Sequence, residues 1–440
     1  MKFLTFQIIL IGIFIQNIYS GSKDFDTLLK WGKKNGLVFS DKIEMNYTSE
    51  NIKNYVVKEE IPKNESIMTI PTELLLNIKN ALSLAGPKMK KAYEKYQKAK
   101  FEYTNDFLQY RIQQSFIAYL MYSANKYKSD KNQFYQFYKN FFNTFETNLD
   151  SNPLLYNAEQ FNLLTSTLVG NEIFQIKTLF EEELNILNKK IFPKKKIDYD
   201  EYFRYRIFTL SKGKNISDAF TIIPFADMMD VHPSKYNIKL RINLGKYGIK
   251  LITTKKIKPG KPLLFKIDTM SNSNYLIFYG KTFEEMENKA NTFPVPYVSP
   301  LYLKERNLDE SWAINEKIDL AREKFYEEAM KTYMDFSKKI KEDGSPLSAL
   351  RIFKGNLMTL RKKYDEISTS KIHKTFFTLR DIENIKRLVD TEKFIYDQKL
   401  TVIDTLIDFT INNNTKKEDN ETVGGTKYQG KDENEIDLDL

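Results

Sequence analysis

The sequence predicts an α+β chain, in which short β-strands are split by a long helical insertion and followed by an all-α C-terminal lobe. Three observations carry this. Brief β-branched and aromatic runs bounded by turn residues lie at about 55–76 and 207–267. Between about 78 and 205 the apolar spacing changes to a helical period. That period returns from about 295 to 412 in three long patterns.

Taken in order, residues 22–36 read as a short amphipathic helix with Phe25, Leu28, Leu29 and Trp31 on its apolar side. Tyr55-Val56-Val57, Ser66 to Pro71 and Leu74-Leu75-Leu76 read as strands. Inside the insertion, Leu108, Ile112, Phe116, Tyr119 and Leu120 form one stripe. Phe134, Phe137, Tyr138, Phe141 and Phe142 form another, and aromatic stripes at this spacing read as core. Strands resume between about 207 and 267. The three C-terminal patterns carry Ile318, Ala321, Phe325 and Ala329, then Leu350, Phe353, Leu357 and Leu360, then Ile382, Ile385, Val389 and Tyr396. The last opens with a capping box, Thr378 to Asp381. Residues 413–440 hold eight acidic residues against four lysines and predict a disordered acidic tail. No internal repeat is visible.

A chain of 440 residues buries a sizeable core and predicts two domains. The absence of cysteine excludes disulfides and thiolate zinc sites. With only His232 and His373, no metal site and no histidine-based triad is predicted. The net charge of +10 is spread among many Asn, Asp and Glu residues. No dense basic cluster or nucleic-acid motif accompanies it, so nucleic acid is not the predicted partner. At the N-terminus, Met1-Lys2 precedes an apolar run from Phe3 to Ile15 that ends in Ile18-Tyr19-Ser20-Gly21. This is the layout of a signal peptide over 1–20, too short for a good membrane span. It sends the chain to the secretory pathway, with an uncleaved anchor or a cytoplasmic location as the rivals. Sequons fall at Asn46, Asn64, Asn215, Asn413 and Asn420.

Two stretches carry the chemistry. The first is Ile222-Ile223-Pro224-Phe225-Ala226-Asp227-Met228-Met229-Asp230-Val231-His232-Pro233, and the second is Ser271-Asn272-Ser273-Asn274-Tyr275-Leu276-Ile277-Phe278-Tyr279-Gly280. Together they resemble the closing motifs of SET-domain protein-lysine methyltransferases of the Rubisco large-subunit methyltransferase type, V-P-x-A-D-x-x-N-H and S-N-x-E-x(4)-Y-G. The resemblance spans about 22–410, and Thr391-Glu392-Lys393-Phe394-Ile395 is similar to the E-K-x-I-L segment of that family's helical lobe. It implies a SET domain over 21–290 and a helical, substrate-binding-like lobe over 295–412. It further implies S-adenosylmethionine as cofactor and a protein or peptide as substrate. By the same resemblance, Tyr279 is the catalytic-site tyrosine that closes the substrate channel. Ser211, Asp227, Asp230 and His232 are the cofactor-binding candidates, with Lys212 in place of the family's arginine after Ser211. Asn272 matches the S-N step.

The sequence departs from the family in three places. Glu50-Asn51-Ile52-Lys53-Asn54-Tyr55 stands where a glycine-rich turn is expected, and no glycine occurs between Gly36 and Gly86. Asp230 and Val231 replace the Asn-His pair, and valine cannot hydrogen-bond through its side chain. His232, one place later, substitutes only after a local slip; the alternative is a turn histidine before Pro233. The channel tyrosine falls on Ile267, and no tyrosine occurs between Tyr247 and Tyr275. Each lost hydrogen bond to a buried cofactor costs roughly 1–3 kcal/mol. Two readings follow: a monomeric lysine methyltransferase of weak or lost activity, or a non-catalytic peptide- or protein-binding module on the same scaffold.

Overall fold

The computed structural model describes residues 24–47, 53–102, 108–128, 132–143, 152–165, 167–245, 248–266, 271–283, 292–294, 317–319, 346–367 and 378–422. The proposed signal peptide over 1–20 and the sequence from 423 onward lie outside them. The chain divides into two units, Met1–Asn291 with Ser368–Val389, and Thr292–Ile367 with Asp390–Leu440. One division falls between Asn291 and Thr292, and residues 368–389 group with the first unit.

In the first unit, helix α1 (24–34) buries Phe25 and Leu28. Strands β1 (Val38–Phe39), β2 (Ile43–Tyr47), β3 (Lys53–Val57), β4 (Ser66–Ile70) and β5 (Leu76–Asn77) precede the insertion. Strands β6 (Lys214–Ile216), β7 (Ala219–Ile222), β8 (Asp230–His232), β9 (Ile238–Asn243), β10 (Gly248–Thr253) and β11 (Leu264–Lys266) follow it. They form a six-stranded sheet ordered β1-β4-β10-β9-β11-β8, a three-stranded sheet β5-β7-β6 and the pair β2-β3. Ile249, Leu251 and Ile252 of β10 are buried at the centre of the large sheet, which accounts for its β-branched composition. Gly248 opens that strand at φ +77, and a Cβ there would meet the Ile70 carbonyl at 2.2 Å, so only glycine fits.

Two strand readings need correction. Leu74 closes a 3-10 turn, Thr72–Leu74, and only Leu76 enters a strand. Pro71 starts that turn, and burial of all three leucines rather than strand alternation explains their run. Ile43–Tyr47, unread in the sequence, pairs with β3 from Ile43↔Val57 to Tyr47↔Lys53.

The insertion comprises α2 (Ile78–Ala85), α3 (Pro87–Gln97), α4 (Leu108–Tyr127), α5 (Gln133–Asn143), α6 (Ala158–Asn162), α7 (Leu168–Ile186) and α8 (Tyr199–Lys212). Ile112, Phe116, Tyr119 and Leu120 of α4, with Phe134, Tyr138, Phe141 and Phe142 of α5, are all buried, as expected of core stripes. Helix α8 runs to Lys212 rather than yielding to strand near 207. Asp198 caps its start by accepting from the Glu201 amide at 3.0 Å, and Gly213 is the first residue that ends it.

The second stretch forms α9 (Asn272–Tyr279), capped by the Ser271 side chain and ended by Gly280 in the left-handed conformation. The second unit holds the strand pair β12 (Thr292–Pro294) and β13 (Lys317–Asp319), then α10 (Pro346–Glu366) and the greater part of α11 (Leu379–Thr422). Ile318 thus sits on a strand opposite Phe293, not on a helix. The pairing of backbone groups outweighs the helical spacing there, and Ala321, Phe325 and Ala329 lie outside the described residues. Leu350, Leu357, Ile395, Tyr396, Ile403 and Leu406 form this unit's core. The capping box at the start of α11 is formed: the Asp381 amide donates to Thr378 Oγ1 at 3.1 Å, and the Thr378 amide to Asp381 Oδ2 at 3.0 Å. The helix continues to Thr422, past the expected end at 412. No glycine or proline intervenes before Gly424, so nothing local stops it. Among the described residues no helix is long and apolar enough to cross a membrane.

Candidate functional site

The site is built where α8 ends. Ser211 and Lys212 occupy its last turn, and Gly213 hands the chain to the β6–β7 hairpin. Ser217 and Asp218 in the hairpin turn both have positive φ (50 and 60), the paired left-handed geometry that lets two strands reverse tightly. Strand β7 then delivers the first motif. Phe225 is fully buried at φ 73 and ψ −43, a strained conformation for a non-glycine residue. Its ring lies parallel to that of Trp31, 6.3 Å away, and a Cβ on Gly32 would meet it at 2.5 Å. Packing thus fixes the strained residue, and the following turn, Ala226–Met228, presents Ala226 and Asp227.

Those elements enclose a half-open cleft of about 390 Å³ counted out to its mouth. Its polar wall is Ser211, Lys212, Lys214, Asp227 and Tyr279; its apolar wall includes Met229, Val231 and Phe265. The Ser211 side chain is buried, and its Oγ has no hydrogen-bond partner among the described residues. Lys212 Nζ donates to the Asp227 carbonyl at 2.7 Å. Lys214 Nζ donates to the Tyr279 hydroxyl at 3.2 Å and lies 5.7 Å from the centroid of the Phe265 ring.

Of the five predicted site residues, the fold brings Ser211, Asp227 and Tyr279 together and leaves Asp230 and His232 out of the wall. Strand periodicity explains the split. In the parallel β8–β11 pairing Val231 lies beside Phe265, so both face the cleft, while Asp230 and His232 alternate to the other face. His232 Nδ1 accepts from the Ser234 and Lys235 amides at 3.2 and 2.9 Å, which makes it a turn histidine. Asp230 forms an ion pair with Lys281, whose Nζ also donates to the Val231 carbonyl at 2.9 Å. Burial pushes the Asp230 carboxyl up, but the Lys281 ammonium outweighs it and holds the group below the usual carboxylate range. Asn272 is a brace: its amide donates to the Phe283 carbonyl at 2.8 Å and accepts from the Phe283 amide at 3.0 Å. Beside it, Asn384 accepts from the Thr282 amide at 2.9 Å and donates to the Gly280 carbonyl at 3.1 Å, which pins the end of α9.

The sequence reading did not find Lys214, Phe265, Lys281 or Asn384. Lys214 had a usable signal, being the first residue after a helix-ending glycine and two past Lys212. Asn384 had none, since only the fold brings it to Gly280. Of the departures from the family pattern, Glu50 to Ile52 and Ile267 lie outside the described residues. Asn54 lies within them, where its Oδ1 accepts from the Asp230 amide at 3.3 Å.

Comparison with solved structures decides the fold. The SET domain of LSMT bound to lysine and AdoHcy superposes with a TM-score of 0.61 at 12% identity, covering 87% of this chain and 91% of that one. Rubisco LSMT bound to AdoMet gives 0.62 at 12% identity, covering 87% and 92%. Rubisco LSMT bound to sinefungin and monomethyllysine gives 0.57 at 13% identity over the same shares. The chain has a SET-domain fold. No family profile matches the sequence and no curated protein matches it. Within the SET fold, the cleft is built by the two stretches whose spacing follows the motifs, and Val231 faces it where the family pattern places histidine.

Proposed function

We propose that this cleft is the methyl-transfer site of a protein-lysine N-methyltransferase scaffold, with S-adenosylmethionine as its cofactor and a protein or peptide as its substrate. The carrying observation is the buried Ser211 hydroxyl, without a hydrogen-bond partner among the described residues and set beside Asp227 and Tyr279 in one wall. A buried hydroxyl without a partner is costly, and a polar ligand removes that cost. The polar residues of this wall fit the cofactor's hydrogen-bonding groups. When bound, the cofactor supplies an electrophilic sulfonium methyl group. Ser211 and Asp227 hold polar groups of the ligand, Met229, Val231 and Phe265 exclude water, and Tyr279 orients the incoming amine. Positioning of this kind supplies much of the rate in a displacement reaction. The LSMT structures of the same fold, bound to AdoMet or to lysine and AdoHcy, support the same reading.

Activity is weak or lost in this proposal. The Val231 side chain offers the ligand no hydrogen bond, and the Asp230 carboxylate is engaged by Lys281. The same two facts favour the second reading, a binding module that captures a peptide without methylating it. Calorimetric titration of the full chain with S-adenosylmethionine and S-adenosylhomocysteine separates the two. Binding at high micromolar concentration, weakened about tenfold by Ser211→Ala, supports the first reading. No heat at millimolar ligand from a folded protein sinks it and leaves the binding module. Sequencing the mature N-terminus tests the secretory assignment, which predicts a start near residue 21.

A further inference from the structure

We propose that the cleft contains an alkylammonium site and that Lys214, from the chain's own hairpin, is its resident occupant. This deepens the methyl-transfer reading by naming a ligand class and what blocks it. It rests on that reading only for the site's purpose, not for its existence.

Lys214 is the half-buried first residue of β6, just after the end of α8, and a lysine ordinarily extends its ammonium into water. Here its Nζ turns inward. It donates to the Tyr279 hydroxyl at 3.2 Å and stands 5.6 Å from the Tyr279 centroid and 5.7 Å from the Phe265 centroid. Both distances lie inside the roughly 6 Å over which a ring face attracts a cation. A second ammonium, that of Lys212, is held in the same cleft by the Asp227 carbonyl at 2.7 Å. The Ser211 hydroxyl adds a further buried oxygen. Neutral oxygen acceptors and ring faces are the chemistry that recognises a primary or methylated ammonium. Phe265 owes its place to the β8–β11 register and Tyr279 to the last turn of α9, so the slot stands on regular elements.

The occupant is covalently tethered, which gives it a large advantage over an external amine. Effective concentrations for short tethers are on the order of millimolar. An external lysine side chain must therefore displace Lys214 before it reaches the Tyr279 hydroxyl. The backbone need not yield, because Lys214 stays paired with Thr221 while its side chain rotates outward.

The test is a titration of the full chain and of Lys214→Met with N-acetyl-lysine methylamide and its trimethyllysine counterpart, followed by NMR. Lys214→Met keeps the apolar stem against Phe265 and removes the charge. We expect it to bind the probes at least tenfold more tightly than the unaltered chain. Tyr279→Phe in the Lys214→Met background should lose most of that gain, and Lys214→Arg should stay at the unaltered level. A Lys214→Met protein that melts like the parent and binds no more tightly overturns the proposal. Should that variant not fold, the parent chain still decides. The Lys214 ε-methylene protons should be shifted upfield by the two rings and move back at saturating probe; unshifted protons overturn the proposal. Titrating the parent and Lys214→Met with S-adenosylhomocysteine separates the two readings. An ammonium gain without cofactor binding upholds the slot and sinks methyl transfer. Cofactor binding without an ammonium gain does the reverse.

Discussion

Helix α8 carries two polar clusters barely a turn apart, and they are finished differently. In its middle, Arg206 is buried and donates through Nε and Nη2 to the two oxygens of Glu183 at 2.7 and 3.2 Å. Arg111 of α4 faces the same carboxylate at 3.0 Å and reaches Glu182 at 2.6 Å. At the C-terminal end, Ser211 is as deeply buried, yet its hydroxyl has no hydrogen-bond partner among the described residues. The first cluster pairs its charges among its own members and holds α4, α7 and α8 together. The second leaves an open valence in a cleft. Burial does not distinguish the two; the cleft that opens beside Ser211 does.

The hardest way to break this contrast is Glu183→Gln. It keeps the shape and leaves two buried guanidinium groups without their shared carboxylate. Breaking a buried pair from one side costs about 3–5 kcal/mol. The denaturant midpoint should fall accordingly, while any protein still folded binds cleft ligands as before. A drop below about 1 kcal/mol would show that water reaches the cluster.

Lys399 of α11 gives a third case, in the second unit. It is buried, and desolvation drives its ammonium well below the ordinary lysine value. The folded state then binds fewer protons than the unfolded chain wherever the pH lies between the depressed value and about 10.4. Stability therefore rises with pH through that window and falls toward the acid side. Lys399→Met should flatten that slope. Paired melts at pH 7 and pH 9.5 check it; a parent chain no more stable at the higher pH contradicts the assignment.

Ser211→Ala sharpens the contrast from the other side. With no hydrogen bond to lose and a buried unpaired hydroxyl removed, stability should hold or rise, by up to about 1–3 kcal/mol. Affinity for S-adenosylhomocysteine should fall about tenfold, or about 1.4 kcal/mol. Equal losses in melting and in binding would place Ser211 in the structural class with Glu183.

The sequence carried the α4 and α5 stripes because each side chain there answers to its own helix, at a spacing that needs no knowledge of the partner. It carried Asp227 and Tyr279 because the motifs fix them locally. What it could not carry depends on pairing. The inward turn of Val231 follows from strand register, and Asn384 reaches Gly280 across more than a hundred residues. The Ile318 strand failed for the same reason, since its partner Phe293 lies outside any local window. His232 illustrates the limit best. Its alternatives were a ligand after a one-residue slip and a turn cap, and a slip of one residue in a strand reverses the face. The observed register leaves the ring on the turn, with two backbone amides.

The smallest expected effect concerns Asp230, on the far side of β8 from the cleft. Its side chain keeps 46% of its surface exposed while that of Lys281 keeps 13%, so the pair is half in water. Solvent screens such pairs, and Asp230→Asn should cost under about 1 kcal/mol. Its direction with pH is nonetheless fixed. The folded carboxyl is the stronger acid, so the pair contributes fully above about pH 5 and is lost as pH falls through about 3.9 and below. Asp230→Asn should remove that part of the acid slope and leave the profile above pH 6 unchanged apart from a small constant offset. Lys281 also donates to the Val231 carbonyl, so the variant reports on the cleft as well. If the pair serves only to anchor β8, ligand affinity stays within twofold. If it holds Val231 in register against Phe265, affinity falls further than stability does, and the contrast between closed and open clusters reaches across the strand.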